Sequence, residues 1–142
     1  MSYASATDLT TYGLPATALG QLTSPQILAA LVEASSRVDS FLRGRFALPL
    51  LSWETDITQA TCAIAAYNLL SIRGYNPGSG ADINIRDRYL DTLKWLAQVQ
   101  KNMAHPNVTP SAAQTTSYAQ PNITTSSVIS LSSGRTARNR GW

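Results

Sequence analysis

Three carboxylates fall within ten residues and form the densest group of side chains that could do chemistry: Asp82, Asp87 and Asp91. Asp87 and Asp91 are one helical turn apart, so they could bind a cation or share a proton as general acid and base. Arg86 and Arg88 are interleaved with them, a pattern more typical of a solvated helix face. A small hydrolase that uses Asp87 and Asp91 is therefore kept only as a third hypothesis for the function.

The remaining candidates for chemistry are isolated. His105 is the single histidine, which excludes a multi-histidine metal site, and its position at a helix end suits a cation at the negative end of the helix dipole. Cys62 is the single cysteine, which excludes an internal disulfide, and its apolar helical surroundings predict a small buried hydrophobe. The glycine-rich loop at residues 74–80 lacks the Gly-Lys-Ser/Thr ending of a phosphate-binding loop. We therefore predict that the protein is not an enzyme, with no catalytic residue, no metal ligand and no cofactor.

The charge is unevenly distributed along the chain. Residues 1–105 hold eight basic and eight acidic side chains and sum to zero, whereas residues 106–142 hold three arginines and no acidic residue, which gives the net charge of +3. The second segment is also rich in Ser, Thr and Pro and has no long apolar run. We predict a helical domain at 1–105 followed by an extended C-terminal docking arm at 106–142.

Helical periodicity and capping residues predict an all-α fold with a short N-terminal helix and three long ones. Ser5 and Asp8 resemble a capping pair for the short helix, which ends at Gly13. The first long helix is expected from Pro25, capped by Ser24, to Gly44, with an apolar face of Ile27, Leu28, Leu31, Val32, Val38, Phe41 and Leu42.

The second long helix is expected at about 54–73. Its centre is apolar nearly all round, which indicates the middle of the domain. The third is expected from Asn84, with Asp87 giving a capping-box arrangement, to a point before Pro106, and its apolar stripe is Tyr89, Leu93, Leu96 and Met103.

The arm carries one short β-prone run at 128–132, which could add a strand to a sheet edge supplied by another chain in an assembly. Arginine and tryptophan near the terminus are residue types that dominate interface hot spots. A disordered tail and phosphate contacts are the alternatives to partner docking. The predicted docking residues are Val128, Ile129, Leu131, Arg135, Arg138, Arg140 and Trp142.

The most specific stretch is Asp-Ser-Phe-Leu-Arg-Gly-Arg-Phe-Ala-Leu-Pro-Leu at residues 39–50, here called the Asp39–Leu50 motif. Gly44 is expected to adopt a left-handed helix end, and Arg45 to bond the carbonyls there or to bridge to Asp39. Apolar side chains of the motif are expected to anchor an extended connector on the core. The predicted structural residues are Asp39, Leu42, Gly44, Arg45, Phe46, Leu48 and Pro49.

This motif resembles the pattern Asp-x-Tyr/Phe-Leu-x-Gly-Arg-Tyr/Phe-x-Leu-Pro-Leu of a Mu-like tailed-phage family. Residues 3–9 are similar to its Tyr-Ala-Thr-x-x-Asp-Leu start, and residues 62–69 to its Cys-Asp-Ile-Ala-x-Tyr-x-Leu stretch. Leu22-Thr23, Arg86, Arg88-Tyr89, Asp91 and Leu96 also agree in order, so the resemblance covers residues 3–105. Two positions depart from it: Ser5 keeps the capping hydroxyl of Thr, whereas Ala63 replaces Asp and removes a charge.

The resemblance implies a head–tail connector, or adaptor, of the phage neck: a helical subunit in a homo-oligomeric ring, often a dodecamer, between portal and tail. Its implied partners are further copies of the chain, the portal protein and a tail-side neck or terminator protein, with passing contact to DNA in the lumen. The implied location is the virion neck, after synthesis in the bacterial cytoplasm. No apolar run approaches the ~18 residues of a membrane span, so we expect no membrane partner.

A second hypothesis belongs to another class. Arg135, Arg138 and Arg140 could contact DNA phosphates in an accessory protein of the neck. The affinity of such binding would fall as the salt concentration rises, with the slope expected for about three phosphate contacts.

Overall fold

Three long helices follow one another along the chain in an up–down–up arrangement, with two short helices and a two-stranded sheet packed around them. The structure, a computed structural model, describes residues 1–112, which form one compact unit. Its elements are α1 (Ala6–Tyr12), α2 (Ala16–Leu19), α3 (Ser24–Leu42), β1 (Leu50–Trp53), α4 (Thr55–Arg73), α5 (Gly80–Gln100) and β2 (Val108–Pro110).

The mainly helical fold class is confirmed. The predicted strand at 128–132 and all seven predicted docking residues lie outside the described residues. Within residues 1–112, no helix is both long and apolar enough to cross a bilayer.

The short N-terminal helix begins with the predicted capping box. The Ser5 hydroxyl accepts a hydrogen bond from the Asp8 amide at 3.2 Å, and the Asp8 carboxylate accepts one from the Ser5 amide at 2.8 Å. The Ser5 amide and, secondarily, its hydroxyl hold the pKa of Asp8 below its usual value. Because the charged carboxylate caps the helix, this contribution to stability is present above the ordinary Asp pKa and is lost as the pH falls below it.

The starts of two of the three long helices, α3 and α5, differ from expectation. The N-cap of α3 is Thr23 and not Ser24, because Thr23 and Gln26 have the capping-box spacing and exchange both bonds. Helix α5 begins at Gly80, four residues before the predicted Asn84. Asp82 fixes this earlier start: it is only 4% exposed and accepts hydrogen bonds from the Asn76 amide at 2.9 Å and the Arg73 guanidinium at 2.8 Å.

Helix α4 forms the centre of the unit, as predicted. It packs against α1, α3 and α5, and its buried residues include the continuous run from Ala60 to Ala66. Small alanine side chains in this run permit close approach of the neighbouring helices. Cys62 is fully buried, and burial raises the pKa of its thiol to about 12. The predicted buried state of Cys62 is therefore confirmed.

Three residues predicted on buried faces are exposed instead. Leu28 and Val32 of α3 are 58% and 51% exposed, and Met103, beyond the end of α5, is 70% exposed. The buried face of α3 is rotated toward Ala30, Leu31, Ala34, Val38 and Leu42. Helix α3 therefore carries a second apolar edge that the described residues do not cover.

A small sheet joins the segments that follow α3 and α5. The connector after α3 is packed as predicted, with a fully buried Leu50, but it bends at Leu48 and Pro49, whose peptide bond is cis, and forms a strand only from Leu50. Strand β1 pairs antiparallel with β2 in the register Leu50↔Pro110, Ser52↔Thr109 and Trp53↔Val108, with an irregularity between Leu50 and Ser52. Local patterning did not predict β2, because the strand exists only through its pairing with β1.

The predicted left-handed conformation at Gly44 is wrong. Helix α3 ends at Leu42, and its C-cap residue, Arg43, has a right-handed conformation. The amides of Arg45 and Phe46 both donate to the Leu42 carbonyl, at 2.9 and 2.8 Å. Among the described glycines, only Gly74 has a positive φ, of 114°. Because the turn after α3 continues the right-handed winding, nothing in the backbone at Gly44 requires glycine.

Substitution by alanine should destabilise the protein at Gly13 but have little effect at Gly44. A Cβ at Gly13 would lie 2.7 Å from Leu9 Cδ1, 2.9 Å from the Leu9 carbonyl and 3.2 Å from the Cys62 carbonyl, whereas one at Gly44 meets nothing within 4 Å. We expect Gly13→Ala to lower the free energy of unfolding by about 1–3 kcal/mol and Gly44→Ala to change it by less than about 1 kcal/mol. Urea denaturation of both variants measures this, and equal losses would contradict it.

Alkaline pH should destabilise the protein through Cys62. Its folded pKa lies above the ordinary 9.0, so the contribution of the neutral thiol is complete below about pH 9 and is lost as the pH rises toward 12. Between pH 7 and 10, we expect the wild type to lose about 1.4 kcal/mol more unfolding free energy than Cys62→Ala. Parallel losses in the two proteins, measured by urea denaturation, would show that the thiol already titrates in the folded state.

Candidate functional site

The Asp39–Leu50 motif ties the end of α3 to the end of α5 through Arg45. The Arg45 guanidinium donates hydrogen bonds to the Val99 and Ala104 carbonyls, both at 2.8 Å, and contacts His105 Nδ1 at 2.9 Å. It also lies over the Phe46 ring, 4.9 Å from the ring centroid. We call this set of contacts the Arg45 bridge. A cation here adds a charged donor at the negative end of α5, where the Val99 carbonyl also accepts a hydrogen bond from the Asn102 amide at 3.0 Å.

The Arg45 bridge is a long-range contact that was not expected. Arg45 was expected to bond carbonyls at the end of its own helix or to bridge to Asp39, and the Val99 and Ala104 carbonyls that it bonds lie at the end of α5, more than fifty residues later. His105 was expected to be the cation at that end. The Arg45 guanidinium supplies a cation there, since it donates to the Val99 and Ala104 carbonyls, and His105 Nδ1 lies 2.9 Å from it.

Asp39 belongs to a second cluster, centred on Tyr3. The Tyr3 hydroxyl donates to the Asp39 carboxylate, and the Tyr3 amide donates to Ser35 Oγ at 2.9 Å. The Tyr3 carbonyl accepts from Trp53 Nε1 at 3.1 Å and from Thr58 Oγ1 at 3.2 Å. Burial and the neighbouring Asp39 carboxylate raise the pKa of Tyr3 above its usual value. Tyr3 thus joins the N-terminal segment to α3, β1 and α4.

The apolar members of the motif pack as expected. Leu42 is fully buried, and Phe46 and Leu48 are partly buried against the core, whereas Pro49 is exposed. Sequence reasoning identified Asp39 and Tyr3 as parts of separate motifs but not as partners. It missed Ser35, Trp53 and Thr58, because hydrogen bonds between side chains and a distant backbone carry no periodic signal.

The three carboxylates considered for catalysis do not form one cluster. Asp82 is buried, and the Asn76 amide and Arg73 hold its pKa below the usual value. Asp87 lies 3.9 Å from Arg86, and Asp91 lies 3.8 Å from Lys94. In residues 1–112, no group of three His, Cys, Asp or Glu side chains is placed to hold a metal ion.

A groove of about 620 Å³ lies where α4, α5 and the end of α1 meet. Its polar side chains include Asp56, Arg88, Asp91 and His105. Asp56 accepts hydrogen bonds from the Ile57 and Asn107 amides, and Arg88 donates to the Tyr12 carbonyl. Asp56 and Arg88 thus bond the protein's own backbone, and Asp91 and His105 contact the side chains of Lys94 and Arg45.

Removal of the Arg45 bridge should destabilise the junction of α3 and α5. Arg45→Met leaves the Val99 and Ala104 carbonyls without their charged donor, so we expect a loss of about 1–3 kcal/mol in the free energy of unfolding. Arg43→Met, an exposed change two residues away, serves as the control and should alter it by less than about 0.5 kcal/mol. Thermal denaturation gives the stability, and hydrogen exchange should show faster exchange confined to residues 99–110. Equal effects of the two substitutions would contradict the assignment.

Two comparisons with known proteins agree with this reading of the motifs. A model of the family described as "Bacteriophage Mu, Gp36" matches residues 3–124, a range that includes Tyr3, Asp39 and Arg45. The chain is also 32% identical over 94 residues to "Gene product J" of Escherichia phage Mu, an alignment that covers 66% of this chain and 62% of that protein. The chain thus spans less than two thirds of the length of this relative. Because the family match covers most of the sequence, the chain belongs to the Bacteriophage Mu Gp36 family.

Proposed function

We propose that this protein is a structural subunit of the phage virion, a head–tail connector that forms a ring between the portal and the tail. The observation that carries the proposal is the family match over residues 3–124, which places the chain among proteins of a Mu-like phage. The proposal includes the absence of enzymatic activity. It also includes the predicted partners: further copies of the chain, the portal and a tail-side neck or terminator protein.

The chemistry of the motifs supports a structural role. The polar side chains that define them are directed inward, where Arg45 holds the end of α5 and Tyr3 joins α3, β1 and α4. Such contacts produce a rigid body whose outer faces are available for assembly. Leu28 and Val32, one turn apart on α3, are 58% and 51% exposed. Neighbouring exposed apolar residues are typical of protein–protein contact surfaces.

The C-terminal segment supplies the proposed link to partners. Arg135, Arg138, Arg140 and Trp142 combine charge with a large aromatic ring, the combination found at interface hot spots. In this proposal the segment docks on the portal or on a neighbouring subunit in the virion neck.

The second candidate function is a DNA-contacting accessory protein of the neck. Three arginines and no acidic residue after position 105 favour it. Its affinity for DNA would fall as the salt concentration rises, with the slope expected for about three phosphate contacts.

A triple substitution separates the two candidates. We expect Arg135→Gln, Arg138→Gln and Arg140→Gln together to weaken binding to the cognate portal at least tenfold, since charged groups at interface hot spots contribute ~2 kcal/mol or more. Binding to duplex DNA, measured by fluorescence anisotropy at two salt concentrations, should not change. The control replaces Arg37, Arg43 and Lys101 of the body with Gln, which removes the same charge.

Electron microscopy of the purified chain and of virions provides the direct view. A ring at the neck that contains this chain is the expected result. Loss of DNA binding with intact portal binding in the triple variant would favour the DNA-contacting function. A virion neck without this chain would contradict both candidates.

A further inference from the structure

The N-terminal half of helix α3 has an exposed side that carries no charge. Leu28 and Val32 lie one turn apart there, and each is more than half exposed. Because successive helical residues are about 100° apart, a single arc of about 100° contains five exposed side chains of α3. These residues, which we call the α3 edge, are Pro25, Leu28, Ala29, Val32 and Ser36. The described residues therefore leave a strip of about three helical turns open to solvent.

The sequence around the α3 edge is also free of charge. Residues 9–32, which form the end of α1, helix α2 and the first half of α3, contain no Asp, Glu, Lys, Arg or His. The first charged residue of α3 is Glu33, which lies outside the arc and bonds Asn68. Beyond the other end of the edge, Asp39 is bonded to the Tyr3 hydroxyl. Charged residues are depleted at the core of protein interfaces, so this surface has the composition of one.

The absence of charge restricts what can cover the α3 edge. A surface without Lys or Arg cannot neutralise phosphates, so it does not fit nucleic acid. A charged protein surface laid on it would bury charges without partners, which is strongly unfavourable. The occupant is therefore an uncharged, apolar protein surface.

A second copy of this chain presents such a surface. Large apolar side chains that are exposed among the described residues are Met1, Leu28, Val32, Leu51, Ile72, Leu90 and Met103. Of this set, only Leu28 and Val32 lie one turn apart on one helix. Leu90, by contrast, lies one turn from both Arg86 and Lys94 on α5. The uncharged apolar strip that a second copy offers is therefore its own α3 edge.

The order of large and small side chains lets the α3 edge pack against itself. We consider two antiparallel α3 helices with a two-fold axis level with the midpoint between Ala29 and Val32. Val32 of one copy then lies level with Ala29 of the other, and by the same spacing Pro25 lies level with Ser36. Leu28 comes level with the gap between Val32 and Ser36. Each bulky side chain thus meets a small one or a gap, as close packing of helices requires.

We propose that the α3 edge binds the α3 edge of a second copy of this chain, with Val32 of each copy packed against Ala29 of the other. The contact is isologous, because both copies use the same surface, and it closes at two copies. It differs from the contacts of the proposed ring, which must join two different surfaces to continue beyond a pair. It therefore pairs free subunits, and because three turns of helix form a small interface, the pair is weak. This inference goes beyond the proposed ring and does not depend on it.

Opposite charges placed at one position test the pairing in the full-length chain. We expect Val32→Asp and Val32→Lys each to raise the dissociation constant of the pair at least tenfold, since two copies of one variant bring like charges close to the two-fold axis. An equimolar mixture of the two variants should return to within about threefold of the wild-type value, because opposite charges then meet across the axis. Sedimentation velocity over a concentration series measures the dissociation constant.

A control variant separates this effect from a general effect of added charge. Met103→Asp adds the same charge at an exposed apolar residue outside the α3 edge and should leave the dissociation constant at the wild-type value. Circular dichroism checks that each variant keeps its helices. Recovery in the mixture also requires both variants to be folded.

Three results would overturn the inference. A wild-type chain that is monomeric at every concentration does not form the pair. Unchanged association of Val32→Asp would show that the contact lies elsewhere on the chain. A mixture that stays dissociated would show that the α3 edge meets a different surface. None of these results decides whether a ring forms in the virion neck, which electron microscopy tests separately.

Discussion

The architecture depends on a cation placed at the negative end of α5. The Arg45 guanidinium adds a charged donor to the Val99 carbonyl in the last turn of α5 and to the Ala104 carbonyl just beyond it, and it contacts a histidine nitrogen, so it joins the end of α3 to the end of α5. The chain then turns back, and β2 pairs with β1, only a few residues from Arg45. The planar guanidinium suits this task because it donates in several fixed directions, which an ammonium group does not.

Tyr3 performs the corresponding task at the other end of the chain. A single residue uses its amide, carbonyl, ring and hydroxyl to contact α3, β1 and α4, and its ring meets Trp53 edge-on at 4.8 Å. Both clusters consist of polar groups that bond one another, most of them partly buried. Several hydrogen bonds converge on one residue in each cluster, so a displaced residue would break all of them together.

Elements that depend only on neighbouring residues could be predicted from the sequence. The Ser5–Asp8 capping box and the span of α4 both follow from spacing and apolar content, and both were confirmed. The Arg45 bridge could not be predicted, because it joins residues more than fifty positions apart. The same long-range pairing explains why β2 was missed, and the Asp82 contacts explain why α5 starts at Gly80. At the candidate site, the motif contains Asp39 and Arg45 but did not predict their partners, and its expectation for Gly44 was wrong.

The burial of Cys62 has a practical consequence for studying this protein in larger complexes. The only thiol of the chain is sealed in the centre of α4, with its proton held tightly and no solvent access. Alkylating reagents need an accessible thiolate, so the folded wild type should remain unlabelled in native buffer. A cysteine introduced at an exposed position such as Leu51 would therefore accept a fluorophore or spin label selectively, with the native residue left in place. Distances between subunits could then be measured in an otherwise unmodified chain.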